Sequence, residues 1–125
     1  LNTAIIPGDS ARMLPFYDSH GDAVSTLVEG HKARWEAAVK FRKFFTQAMP
    51  LFALFEQFGY DFDFINLDVE SLNLQLFEEL PFVRLDKLKL ICVEHDGHSR
   101  PMTQRLMTHG FRLLAQNPEN LIMGR

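Results

Sequence analysis

Hydrophobic and polar residues fall into a repeating order in the second half of this chain: an apolar run of strand length, an abrupt acidic stop, then helical spacing. Phe62, Phe64, Ile65 and Leu67 form the first run, and Asp68 and Glu70 close it. Its length and strand-favouring side chains predict a strand over residues 62–67. The run is nearly continuous, as expected of a parallel strand covered on both faces. Leu72, Leu76 and Leu80 then recur at helical spacing, with Leu74 and Phe77 widening the stripe, so a helix follows within a few residues. Leu88, Leu90, Ile91, Cys92 and Val93 make a second apolar run, which ends in Glu94, His95, Asp96 and Gly97. Strand, helix and strand compose a βαβ unit, whose two parallel strands should present their acids at one edge of a single sheet.

The flanking segments read less regularly. Thr3, Ala4, Ile5 and Ile6 predict a short strand stopped by the turn cluster Pro7, Gly8, Asp9 and Ser10. Residues 12–17 predict another, confined to a sheet edge by Pro15; residues 18–22 read as loop. Residues 25–35 carry weak helical spacing at Leu27, His31, Arg34 and Trp35, interrupted by Gly30, and Ser25 and Thr26 suit either a helix cap or contact with a ligand. Residues 39–46 alternate as a strand does, and Pro50 then opens a helix carrying Leu51, Phe52, Leu54, Phe55 and Phe58, with Gly59 as its stop. Beyond the second acidic run, Ser99, Arg100 and Pro101 look like a helix entry. Met102, Leu106 and Met107 give that helix an apolar face, ending at Gly110. Residues 111–115 and 121–123 then predict a hairpin around Asn117, Pro118, Glu119 and Asn120.

A chain of 125 residues supports one domain with a sizeable core. Its 46% hydrophobic share, 23% charged share and 12 phenylalanines describe a folded, aromatic-rich protein. A net charge of -3, with acids and bases interspersed, supplies no basic stripe for a nucleic-acid backbone, and no apolar run reaches membrane length. The expected partners exclude both. The single cysteine, Cys92, reads as a small buried hydrophobe in a reducing compartment, so cytoplasm is the expected location. Leu1, Asn2, Thr3 and Ala4 lack the basic and apolar regions of a signal peptide and do not begin with Met, which suggests a processed chain or a fragment.

In open α/β sheets, ligands bind beyond the carboxyl ends of the strands, which makes Asp68, Glu70, Glu94, His95 and Asp96 site candidates by position. An acid after a strand also serves as the cap or first-turn charge of the next helix, and that alternative stands beside the functional one. His95 and His98, three apart with Asp96 between them, supply ingredients for a divalent-metal site, although Gly97 interrupts the helix that would align them and no tight zinc pattern is present.

The motif Phe64, Ile65, Asn66, Leu67, Asp68, Val69, Glu70 resembles the hydrophobic-Lys-Ile-Asp-Val-Glu-Gly signature of the FkbM-type methyltransferases. Leu90 to Val93 followed by Glu94 and His95 is similar to that family's next strand. His109, Gly110 and Phe111, followed by Asn120, Leu121 and Ile122, resemble its closing helix and hairpin. Phe16, Tyr17, Ser25, Thr26, Leu27 and Trp35 match its looser upstream region. The resemblance implies a Rossmann-like class I sheet with parallel central strands and an antiparallel C-terminal hairpin, and transfer of a methyl group from S-adenosylmethionine to the oxygen of a small molecule or sugar. Asp68, Glu94 and His95 would then orient or deprotonate the acceptor, His95 being the first choice of base, while Asp68 and Glu70 would hold the cofactor. Two departures stand out: position 71 is Ser where the family has Gly, and no glycine-rich loop for the methionine and ribose parts of the cofactor is present. The chain thus looks like the C-terminal portion of such a domain. A non-catalytic interaction module with a degenerate fold and a divalent-metal-binding domain are the competing expectations, and homo-oligomerisation stays open.

Overall fold

The computed structural model describes residues 3–21 and 24–125; the expectations for Leu1, Asn2 and Asp22 lie outside them. Among the described residues the architecture is mixed α/β, with four helices and two sheets. The first sheet has three strands, β1 (Ala4–Ile6), β2 (Arg12–Asp18) and β3 (Arg42–Pro50), in the order β1-β3-β2. Pro15 does lie on an edge strand, β2, where a missing amide costs no ladder bond. Between β2 and β3 sits α1 (Glu29–Trp35). The third strand starts later than its alternation predicts because the amides of Ala38 and Val39 bond back to Trp35 O, carrying helical turns beyond α1. It runs on to Pro50 because Ala48, Met49 and Pro50 pair with Ala4, Ile5 and Ile6.

Helix α2 (Leu51–Phe58) follows directly and ends at Gly59, whose φ of 83° suits a residue without a Cβ. The second sheet then assembles from β4 (Phe64–Leu67), β5 (Leu90–Glu94), β6 (Arg112–Gln116) and β7 (Asn120–Gly124), in the order β4-β5-β7-β6. Strands β4 and β5 are parallel, with Leu67 opposite Val93, and are joined through α3 (Asn73–Glu79); α4 (Ser99–Thr108) leads into the antiparallel hairpin β6-β7. The βαβ unit and the hairpin therefore stand as the sequence predicts.

The upstream strands form a sheet of their own, apart from β4 and β5. Two expectations need correction. Strand β4 is not central, since among the described residues nothing pairs with its outer side. Nor is it covered on both faces: Leu67 is buried, but Phe64 is 52% exposed. Strand β5 likewise alternates, with Ile91 and Val93 fully buried and Leu90, Cys92 and Glu94 half-buried. One face of this sheet carries the core, where Leu67, Ile91, Val93, Leu121 and Met123 meet Leu76 and Phe77 of α3 and Met102 and Leu106 of α4. Met107, one residue past Leu106, falls on the outer side of α4 and is exposed. Arg125 closes the end of the sheet opposite the acids, bonding through its guanidinium to Leu85 O, Leu88 O and His109 O.

Candidate functional site

Because β4 and β5 are parallel and in register, their carboxyl ends deliver Asp68 and Glu70 from one strand and Glu94 and Asp96 from the other to the same edge. Glu94 pairs with Asn120 in the ladder, which brings the hairpin turn to this edge as well. An open cleft of about 440 Å³ results, lined by His31, Arg34 and Trp35 of α1, by Asp68, Glu70, Glu94 and Asp96, and by Val24, Glu119 and Asn120.

The acids are not helix caps. The N-cap position of α3 is Leu72, which makes no side-chain cap bond. The chain reaches α3 through two consecutive residues in the left-handed region, Glu70 (φ 43°) and Ser71 (φ 73°), and Asp96 (φ 45°) does the same after β5. Non-glycine residues adopt this conformation at a cost of about 1–2 kcal/mol each, and such strain gathers at functional sites. Position 71, glycine in the family that the motif resembles, is thus a place where glycine would be unstrained. Serine adds a hydroxyl there instead, which bonds His31 Nδ1 (2.8 Å) and accepts from Arg34 (3.0 Å).

Two residues organise the cleft from behind. Asn73, fully buried, accepts from the Val69 amide (2.9 Å) and donates to Glu94 Oε2 (2.6 Å) and Asp96 Oδ2 (3.0 Å). Its amide stands between two carboxyls that would otherwise repel without mediation. Thr26 accepts at Oγ1 from the Val28 amide and donates to Glu70 O, fastening the approach to α1 onto the Glu70–Ser71 turn. Ser25 accepts from the Ser19 amide. These two hydroxyls thus have structural partners.

His31 is the buried residue of α1. Arg34 donates to its Nδ1 at 3.1 Å, so that nitrogen is an acceptor and the ring proton belongs on Nε2. Nε2 lies 3.1 Å from Glu70 Oε2, close enough for an ion pair, but off the line of a hydrogen bond and without another partner among the described residues. Burial, then the neighbouring Arg34, lower the pKa of His31, with Asp96 opposing. The Glu70 carboxyl is pushed up to about 7, first by burial and then by repulsion from Glu94, Asp68 and Asp96, against the pull of Arg34. Burial also raises Glu94; the Asn73 amide works the other way, while Asp96 and Asp68 add to the rise. The half-buried Cys92 thiol is raised by burial and by Asp68, which leaves it mostly protonated at neutral pH.

His95 lies apart from this cleft. Its Nδ1 accepts from the Gly97 amide (3.1 Å), its Nε2 donates to Asn117 O (3.2 Å), and its own amide bonds Glu119 O. Buried and occupied at both ring nitrogens, it ties the loop after β5 to the hairpin turn. His98 is exposed and lines a neighbouring cleft with Arg34, Ser71, Leu74, Gln75 and Asp96. Among the described residues, no group of three or more His, Cys, Asp and Glu side chains is disposed to hold a metal ion, and no helix is long and apolar enough to cross a membrane.

Sequence reasoning selected Asp68, Glu70, Glu94 and Asp96 but missed Asn73, His31 and Arg34 as members of the site. Asn73 did leave a signal: Asn73, Leu76, Phe77 and Leu80 fall at i, i+3, i+4 and i+7, so a polar residue holds a core-facing position. No protein-family model, curated protein or solved structure matches this chain.

Proposed function

We propose that this chain forms the acceptor-side half of a class I, S-adenosylmethionine-dependent methyltransferase that methylates the hydroxyl of a small molecule or sugar. The observation that carries the reading is the arrangement of β4-β5-β7-β6: a parallel pair whose carboxyl ends bring four carboxyls to one cleft, flanked by an antiparallel terminal hairpin. This is the order of elements that the resemblance of residues 64–70 and 90–95 implies.

The donor set suits the cofactor's chemistry, since carboxylates favour a sulfonium cation and accept from ribose hydroxyls. Asp68, exposed beyond the end of β4, is the residue that would hold it. When bound, S-adenosylmethionine supplies an electrophilic methyl group. The protein's share of the work is to orient the acceptor and take up its proton. Trp35, 43% exposed at the cleft, offers a flat apolar wall for a ring, and Arg34 and Asn120 offer donors beside the carboxyls.

Calorimetry with S-adenosylmethionine tests the reading. The 125-residue chain, which carries no glycine-rich loop for the cofactor's carboxylate and ribose, is expected to bind weakly or not at all, and the natural full-length protein to bind and transfer methyl groups. A full-length protein that neither binds nor transfers would refute the proposal.

A further inference from the structure

We propose that Glu70 is the group that takes the proton from the acceptor hydroxyl, and that His31, through its Nε2–H, holds that hydroxyl's oxygen beside it; this rests on the methyl-transfer reading above. The argument starts from a donor without a partner. Buried polar groups nearly always have a hydrogen bond, yet His31, 7% exposed, has none at Nε2 among the described residues. Its other nitrogen cannot share the proton, because Nδ1 accepts from Arg34 and its remaining neighbour, the Ser71 hydroxyl, has Arg34 as its own donor and can point its hydrogen at the ring. One N–H is therefore left at the wall of the cleft, 3.1 Å from a carboxylate oxygen it does not properly engage.

The group that satisfies both must accept one hydrogen bond and donate another. A hydroxyl does so, accepting from His31 Nε2–H and donating to Glu70. A phosphate or carboxylate would meet the repulsion of Asp68, Glu94 and Asp96, while an ammonium has no lone pair for Nε2–H and would face Arg34. In the step itself, a lone pair of the hydroxyl oxygen forms the new O–C bond, and the pair of the O–H bond stays on oxygen as the proton passes to Glu70. The electrons of the broken S–C bond leave with the donor's sulfur, which ends as a neutral thioether.

The groups facing Glu70 fit this role: His31 and Arg34 from α1, Asp68 from its own turn, Glu94 from the end of β5 and Asp96 from the loop beyond it. Together with burial they bring the carboxyl close to neutrality, where a general base works best. The left-handed backbone at Glu70 and Ser71, held by Thr26 and by the Ser71 hydroxyl, fixes the carboxyl in that setting.

The test has two arms. Nuclear magnetic resonance of the labelled protein should show the Glu70 carboxyl carbon titrating near pH 7, and the His31 ring neutral with its proton on Nε2; Glu70→Gln should remove that titration. A Glu70 that titrates in the ordinary carboxylate range, or a His31 protonated on Nδ1, overturns the proposal whatever the activity. In the methyl-transfer assay, Glu70→Gln should lower kcat about a hundredfold or more, the scale of a lost base, and leave KM for S-adenosylmethionine within about twofold. Glu70→Asp, which keeps a carboxyl, should recover part of the rate. Full kcat in Glu70→Gln, with the wild-type protein active, overturns the assignment of Glu70 alone. A wild-type protein without methyl transfer removes the parent reading and this one together.

Discussion

The two sheets are built on different terms. The four-stranded sheet and its helices own the core: Leu76, Leu85, Leu88, Ile91, Val93, Met102, Leu106, Leu121 and Met123 are all fully buried. The three-stranded sheet buries Ile6, Tyr17 and Ala48 but leaves Met13, Phe44 and Phe45 in solvent, Phe45 at 64% exposure. Strand pairing, a tilted Phe16–Phe44 contact and the Asp18–Arg42 ion pair hold it instead. The difference matters for the site. Its acids rest on the packed sheet, whereas its cation, Arg34, comes with His31 and Trp35 from α1, which lies in sequence between strands of the lightly packed sheet and meets the acidic turn through His31 on Glu70 and Ser71 and through Arg34 on Ser71. An acidic edge built on the main core is thus met by a helix from the lightly packed side.

Substitutions can break this comparison. The largest effect is expected at Leu76, where truncation to alanine empties a fully buried position and should cost about 2–5 kcal/mol. Asn73→Ala comes next: it strips partners from the Val69 amide, Glu94 and Asp96 at once, and chemical denaturation should register a loss of about 3 kcal/mol. At the other extreme, Phe45→Ser on the three-stranded sheet should shift stability by no more than about 0.5 kcal/mol. A large loss at Phe45 would mean that this sheet is packed against something in solution.

Between these lies a pH effect of definite sign. From its ordinary 4.5 up to about 7, folded Glu70 keeps a proton that the unfolded chain has released. Stability should therefore fall as pH rises through that window and level off above it, by up to about 3 kcal/mol if the whole shift is expressed. Glu94, also raised, acts in the same direction. His31 opposes on the acid side, because its lowered pKa means that the unfolded imidazole charges first as pH drops below 6.5. Melting curves across this range should show a decline toward neutral pH that Glu70→Gln flattens.

What the sequence made legible follows from the range of the interactions. Residues 62–124 read correctly as strand, helix, strand, helix and hairpin because their apolar periodicity and their stops, Gly97 and Gly110 among them, are local. The acidic edge was legible too, since parallel strands joined by a helix must end on the same side. That β4 is an edge strand was not, because a continuous apolar run looks the same whether a neighbour covers it or solvent does. Nor was the role of His31: α1 is interrupted by Gly30 and weak by periodicity, and it is fixed by Ser71 and Thr26 through contacts that span about 40 residues of chain. His95 looked like the base because exposed carboxylates are poor bases beside an imidazole at the same strand end. Its partners, Gly97 and Asn117, come from loops whose paths no periodicity encodes.

The central claim, that the carboxyl ends of β4 and β5 form the working site, is tested most directly at Asp68. Asp68 is exposed in the cleft and caps no helix, so replacing it should leave the fold untouched. Turnover and melting temperature are to be measured on Asp68→Asn in the full-length protein. The account predicts a loss of turnover of about a hundredfold or more with the melting temperature unchanged; full turnover with unchanged melting would contradict it.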